Sequence, residues 1–306
     1  MDKTVLRLDT DDVWRTLEKV DPVAVLAEEL IKRTIGHPDR TREPGCVPWS
    51  GGQVECVLAE DVEPGLSCAI PAASLRAVHV AALAALATHE LLAPGGVTVA
   101  MLGTAAATQP QLSVLARHVP DIIHVAMRLT DEPTSVPLEP RLVDQLDFAG
   151  IGLSVVPKLA DSLFGANLVV AVSEGAMTEG PGEAPIGHLV RGTLLVNASG
   201  HDLPAALVDR ADQIYVDDLA LLPEHAGRHV VGKHLENVKK GSVTHTRPPA
   251  IAADLGLLLS GAHHGREQQD DIVVVELLSA GTPNIELAKK IAEAALHNGL
   301  GVRVPA

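Results

Sequence analysis

The residues best suited to chemistry follow an apolar run. Val97–Leu102 (VTVAML) leads straight into Gly103-Thr104-Ala105-Ala106-Ala107. A β-branched run entering a glycine turn and then a helix is where a dinucleotide-binding fold places G-x-G-x-x-G. The first glycine makes the tight turn, the second admits a pyrophosphate to the backbone, and the third lets helix and strand pack closely. Here Gly103 holds the first position and Ala105 the second, with Ala106, Ala107 and Thr108 filling the rest. The Ala105 methyl is expected to push into the pyrophosphate space, while the helix N-terminus still offers N–H groups to an anion. An acid about 20 residues further on would grip the ribose hydroxyls. The second strand ends instead on Ala126-Met127-Arg128. Arg128 suits a 2′-phosphate, so NADP is expected over NAD if either binds. The alternative is a solvated charge at a strand end.

Other chemistries find less support. Fourteen histidines include His225 and His229, four apart, with His234 nearby, and the adjacent pair His263-His264. No HExxH or Cys/His spacing accompanies them, so no metal is expected. Asn197-Ala198-Ser199-Gly200 lacks the first glycine of a G-x-S-x-G elbow, which argues against a Ser-His-Asp hydrolase. The net charge of −15 disfavours nucleic acid, whose phosphates need clustered Lys and Arg. Aromatics make up only 2% of residues, so base-stacking platforms are not expected either. The three cysteines, Cys46, Cys56 and Cys68, form no CxxC pair and suit a reduced, cytoplasmic setting. The first residues, MDKTVLRLDTDDVW, are charged throughout and lack an apolar signal core. Apolar stretches such as Val80–Leu86 fall short of a membrane span. The expectation is a soluble cytoplasmic protein with no membrane partner.

The elements that must position these residues can be read from the hydrophobic pattern. With 306 residues the chain has room for one large or two medium domains. Its core must come from Ala, Val, Leu and Ile, because 46% of residues are hydrophobic but few are aromatic. Six short apolar runs read as strands: Val97–Leu102, Ile122–Met127, Ile151–Val156, Leu168–Val172, Thr193–Asn197 and Ile214–Val216. Helical spacing lies between several of them, as in Gln111–His118 and Pro204–Ala211. Ile272–Leu277 is expected to join the same layer. This alternation predicts an α/β fold, a Rossmann-like doubly wound parallel sheet covered on both faces.

The flanks differ. Asp21-Pro22 signals a helix start, running through Val23–Arg33. Residues 34–53 read as loop, and Val54–Leu58 and Leu66–Ile70 as strands of a smaller sheet. Ser74 is expected to cap an alanine-rich helix reaching about Leu92, stopped by Pro94-Gly95-Gly96. Asn284 is expected to cap a last helix that stops at Gly299. Two Pro-rich stretches, 131–140 and 174–187, read as surface loops. The predicted domains are 95–280, Rossmann-like, and 1–94 plus 281–306, a smaller α+β unit.

Four stretches, in order, resemble the ornithine cyclodeaminase/mu-crystallin family. SLRAVHVAALAALATHELL is similar to its L-T-x-x-R-T-A-A-x-S-A-L-A helix, and VTVAMLGTAAATQPQL to its first strand and glycine turn. LLVNASGHDLPAALVDRADQIYVDD resembles its N-x-x-G-x-D-x-P-G segment. The stretch from LGLLLSGAHHGREQQDDIVVVELL to the last helix resembles its closing G-R…D-E-I-x-x-F. The resemblance implies a Rossmann domain plus a substrate domain that also forms a homodimer. It implies transfer of hydride between NAD(P) and the α-carbon of a small amino acid or imine, and in the cyclodeaminases loss of ammonia.

Carried over residue by residue, the resemblance makes Asp202 the catalytic acid/base that handles protons of the amine and imine. The alternative for Asp202 is a cap on the helix starting near Pro204. The family's carboxylate-binding Arg falls on His79, and the Thr of its L-T-x-x-R on Arg76. These two are one helical turn apart and are the candidate substrate anchors. Imidazole cannot copy the bidentate guanidinium fork. The alternative is a surface Arg76 and a core-edge His79. Gly103, Thr104, Ala105 and Arg128 become cofactor-binding candidates, and Ser173 matches a Thr expected near the nicotinamide. Glu286 matches a closing Asp, or simply favours its helix N-terminus. No Lys or Arg stands in Gly51–Leu58, where the family has a second anion-binding Lys. Ornithine itself is therefore not the expected substrate. The rival reading is a cofactor-free relative, a dimeric binding subunit or a catalyst of non-redox chemistry.

Overall fold

The computed structural model describes residues 4–36, 46–49, 55–130, 138–178, 187, 189–239, 250–282 and 284–305. The Pro-rich loops expected at 131–140 and 174–187 fall largely outside these residues, as do 51–54. The chain divides into two units, 1–79 with 281–306, and 80–280. The sequence places the change at residue 94. The division falls instead inside one continuous helix.

In the first unit, local chemistry sets the helix starts. Asp9 and Asp12 form a reciprocal capping box on α1 (Thr10–Thr16). Asp21 accepts the Ala24 amide at 2.9 Å and Pro22 opens α2 (Pro22–Ile35). Asn284 accepts the Leu287 amide at 2.9 Å at the start of α10 (Ile285–His297). Five strands, β1 (Thr4–Arg7), β2 (Cys46–Trp49), β3 (Cys56–Glu63), β4 (Leu66–Pro71) and β13 (Val302–Pro305), form a mixed sheet in the order β13-β1-β4-β3-β2. β1, β2 and β13 are only four residues each, too short for a clear period, and Cys46–Trp49 is a strand where a loop is expected. Val13, Ile70, Leu75, Leu287 and Ile291 meet in this unit's core. Each such side chain contributes about 1.5–3 kcal/mol by leaving water.

The helix α3 (Ala72–Leu91) carries the division between His79 and Val80. It starts two residues before Ser74, which does not cap it. The Ser74 hydroxyl donates instead to Thr10 Oγ1 at 3.1 Å. Ala81, Ala82, Ala84, Ala85 and Ala87 are all fully buried, so the alanine surplus serves close packing. At 20 residues α3 is long and apolar enough to cross a membrane, contrary to the sequence expectation, but most of it is buried within the protein.

The second unit is built on eight parallel strands. They are β5 (Val97–Gly103), β6 (Ile122–Leu129), β7 (Gly152–Val155), β8 (Leu168–Ala171), β9 (Leu194–Asn197), β10 (Gln213–Val216), β11 (Ile251–Asp254) and β12 (Val273–Glu276). Their order is β11-β10-β12-β9-β8-β5-β6-β7. Every pair between neighbours is parallel. This is the α/β, Rossmann-like doubly wound sheet. The late strand β12 lies inside it, between β10 and β9. β11 escapes the sequence reading because it is short and only Ile251 in it is β-branched.

Helices α4 (Ala105–His118), α5 (Pro140–Phe148), α6 (Leu159–Leu163), α7 (Ala205–Val208), α8 (His229–Lys239) and α9 (Leu255–Leu259) complete the unit. Thr108 on α4 reaches Met127 on β6. The opposite face buries Leu102 and Ala171 with Leu163, Leu207 and Val231 of α6, α7 and α8. The direction of winding reverses between β5 and β8. A doubly wound sheet binds ligands at such a switch, outside the C-terminal strand ends.

Candidate functional site

β5 and β8 end side by side, which brings Gly103 against Val172 and Ser173. Gly103 has φ +151°, and a Cβ there would lie 2.6 Å from Val172 Cγ2 and 2.7 Å from Ser173 Oγ. Only glycine fits both the backbone angle and the space. The Thr104 amide, at the N-cap of α4, donates to Ser173 Oγ at 3.0 Å. Gly103, Thr104 and Ser173, three sequence candidates from two distant segments, thus form one turn.

Ala105 is buried, 1% exposed, in the first turn of α4.

A cavity of about 300 Å³ opens beside this turn. Ala171, Ser173, Met177, Asn197, Ser199 and Asp202 are among its lining residues. That volume is at the small end for a ligand pocket. It is large enough for a small metabolite or one ring of a larger molecule.

Asp202 is exposed at the cavity wall. It does not cap α7, whose N-cap is Pro204 without a side-chain bond. Its Oδ1 accepts instead from the His229 amide at 3.2 Å, the first residue of α8.

Arg128 is not a free cation at a strand end. Its Nη1 donates to the Ala176 carbonyl at 3.1 Å and its Nη2 to that of Thr178 at 3.5 Å. Ala176 and Thr178 also line the cavity, so Arg128 braces one wall.

The two anchor candidates lie on the first unit's end of α3. His79 is 4% exposed, and burial, with Arg33 adding repulsion, pushes its imidazole down to about 4. It is a neutral, buried histidine at neutral pH, which agrees with the core-edge alternative for this position. Arg76 remains partly exposed, at 3.8 Å from Glu55. Glu286 stands in the first turn of α10 beside Lys289, 3.4 Å away.

One buried acid escapes sequence reasoning. Leu102, Ala171, Asn197, Glu276 and Val216 form one register row across β5, β8, β9, β12 and β10. Glu276 is 2% exposed, and burial pushes its carboxyl up to about 8, against the hydrogen bond from Asn197 and the charge of Arg228. Asn197 Nδ2 donates to Glu276 Oε2 at 2.8 Å, and Arg228 Nη1 lies 3.4 Å from the same oxygen. The signal was present: the strands VVVE and LLVN are apolar runs that each end on a polar residue. Among the described residues, no group of three His, Cys, Asp or Glu could hold a metal ion.

A doubly wound parallel sheet with a glycine turn and a cavity at its switch point is the Rossmann-like architecture. Residues 24–299 match the ornithine cyclodeaminase/mu-crystallin family, and the chain belongs to it. Solved structures share the fold at low identity. An archaeal alanine dehydrogenase dimer with bound NAD is 15% identical with TM-score 0.66, covering 98% of this chain and 99% of that one. The Δ1-pyrroline-2-carboxylate reductase of Thermococcus litoralis, in complex with NADH and L-proline, is 16% identical with TM-score 0.63, covering 98% and 100%. A lysine cyclodeaminase that recognises L-lysine, L-ornithine and L-2,4-diaminobutyric acid is 20% identical with TM-score 0.66, covering 100% and 96%. No curated protein matches by sequence.

Proposed function

We propose that this chain is an NAD(P)-dependent oxidoreductase or deaminating lyase acting on a small amino acid or imine other than ornithine. The observation that carries the reading is the Gly103–Thr104–Ser173 turn at the switch point with Asp202 on the wall of the adjoining cavity. The membership in the family and the ligands of the three relatives support it.

The turn fits a dinucleotide in two respects. The glycine brings backbone close to whatever lies above it, and a helix N-terminus follows directly. Gly103, Thr104 and the first turn of α4 would hold the pyrophosphate. When bound, the nicotinamide supplies or accepts the hydride. The protein's own contribution is proton handling. The Asp202 carboxylate, on the cavity wall and bonded to the His229 amide at the start of α8, takes a proton from a substrate ammonium and returns it to an imine nitrogen. On the first unit, Arg76 is the residue that the resemblance offers for binding a carboxylate.

Preference for NADP over NAD is a finer reading and rests on Arg128. Its longer bond, to Thr178, is the one a 2′-phosphate would replace. A cytoplasmic homodimer is part of the same proposal. Family membership and the thiols of Cys56 and Cys68, free and buried, support it.

One observation favours the cofactor-free rival: the Ser173 hydroxyl already occupies the Thr104 amide. Melting the purified protein with NADH and with NADPH decides between them. A raised melting temperature with either is expected, since a ligand that binds only the folded state stabilises it by mass action. No shift with both at millimolar concentration overturns the cofactor claim. Coupled turnover of a panel of amino acids and cyclic imines then identifies the substrate.

A further inference from the structure

We infer that Glu276 is a positioning residue whose carboxyl group, held by Asn197 and Arg228, fixes the 199–202 turn and with it the Asp202 carboxylate. Each of the two partners has one hand on Glu276 and one on the turn. Asn197 Nδ2 donates to Glu276 Oε2 at 2.8 Å and to the His201 carbonyl at 2.7 Å. Arg228 points Nη1 at Glu276 Oε2 from 3.4 Å and donates Nη2 to the Gly200 carbonyl at 2.7 Å. The backbone then closes the circuit. His229 follows Arg228, and its amide donates to Asp202 Oδ1 at 3.2 Å. Both limbs of the turn that carries Asp202 are thus referred to one buried carboxyl.

The placement is costly, which argues that it is specified. A carboxyl 2% exposed in an apolar sheet gives up its water, and its Oε1 has no hydrogen-bond partner among the described residues. An apolar residue would pack between β9 and β10 without that cost. It would leave the Asn197 amide and the Arg228 guanidinium without their shared acceptor and the turn without its reference point. The charged groups around Glu276 are Arg228 and Asp202. A buried network whose members are shared in this way is rigid and sensitive to removal of its hub.

The kinetic arm of the test rests on the oxidoreductase or lyase reading; the exchange arm does not. Three variants, Glu276→Ala, Glu276→Gln and Asp202→Asn, and the double variant Glu276→Ala/Asp202→Asn serve both. Hydrogen exchange on the full-length protein should speed up on the order of ten-fold at the Ser199 and His201 amides in Glu276→Ala, with β8 and β10 unchanged. Glu276→Gln, which keeps an acceptor for both partners, should restore the wild-type rate.

In turnover, Glu276→Ala should lower kcat on the order of 10²-fold with KM little changed, since a misplaced catalytic group acts on the chemical step. In the Asp202→Asn background the same change should add almost nothing. Unchanged exchange in Glu276→Ala, or full additivity of the two kcat losses, overturns the proposal. If Glu276→Ala does not fold, Arg228→Gln removes the Gly200 limb alone, and the same two outcomes decide. Wild-type protein inactive on every substrate would count against the functional reading, while the exchange arm would still decide the positioning role.

Discussion

The Ser173 hydroxyl accepts the Thr104 amide at 3.0 Å, beside the point where Gly103 has no side chain. One residue supplies the room and the other fills it. The two replacements therefore differ in kind. Ser173→Ala removes one hydrogen bond and should cost about 1 kcal/mol, which is about 2–4 °C in Tm for a domain of this size. Gly103→Ala forces a side chain into a backbone angle that resists it and into Val172. It should cost about 3 kcal/mol. Any stabilisation by NADH should survive Ser173→Ala and disappear in Gly103→Ala. Thermal melts of both variants with and without NADH check this.

His79 makes the fold acid-sensitive. Its folded-state value is lowered to about 4 by burial and by Arg33, below the ordinary 6.5. Between those values the unfolded chain binds a proton that the folded one does not, so stability is lost as pH falls from about 6.5 toward 4. The loss is on the order of 3 kcal/mol at its fullest. His79→Leu should flatten this part of the profile. Urea unfolding at pH 7 and pH 4.5 measures it. An equal loss in the variant and the wild type would show that His79 is not the group responsible.

The parallel sheet was legible because buried strands read as unbroken apolar runs, and seven of its eight strands follow from that pattern. β11 did not, since IAAD offers one β-branched residue and sits at a sheet edge. The site was legible in Gly103 and, through the resemblance, in Ser173 and Asp202, but not in what its side chains bond to. Gly103 announces itself by following a strand. A side chain's partners do not appear in its own neighbourhood: Arg128 looks like an exposed strand-end cation until the 176–178 carbonyls fold onto it. His79 looks like a ligand until α3 is buried. Glu276 and Asn197 lie 79 residues apart and become neighbours only through the pairing of β12 with β9.

Asp202 carries little of the stability, because it is exposed and bonds a single amide. Asp202→Asn keeps the oxygen acceptor for the His229 amide, so unfolding free energy should change by less than about 0.5 kcal/mol. Turnover should fall by about 10²–10⁴-fold if the carboxylate handles the substrate proton. Paired measurements of kcat and Tm on one preparation separate the two effects. A large loss of Tm with kcat retained would make Asp202 a structural residue.

Glu276 should make the fold less stable as the medium becomes alkaline. Its carboxyl is raised from the ordinary 4.5 to about 8, with burial the larger cause and the nearby Asp202 charge adding to it. From pH 4.5 to pH 8 the unfolded chain has released this proton and the folded chain still holds it. The unfolded state is therefore favoured increasingly across that window, and the penalty levels off above the folded value. Asp217, also buried and also raised, acts in the same direction. Glutamine has the shape of the protonated acid and releases no proton in either state. Glu276→Gln should thus match the wild type near pH 4.5 and exceed it in Tm by a margin that grows to pH 8 and then stays constant. A series of melts from pH 4.5 to pH 9 gives the answer. A margin that is flat across the series would mean that Glu276 is already ionised in the folded protein at the low end, with Arg228 rather than burial setting its charge.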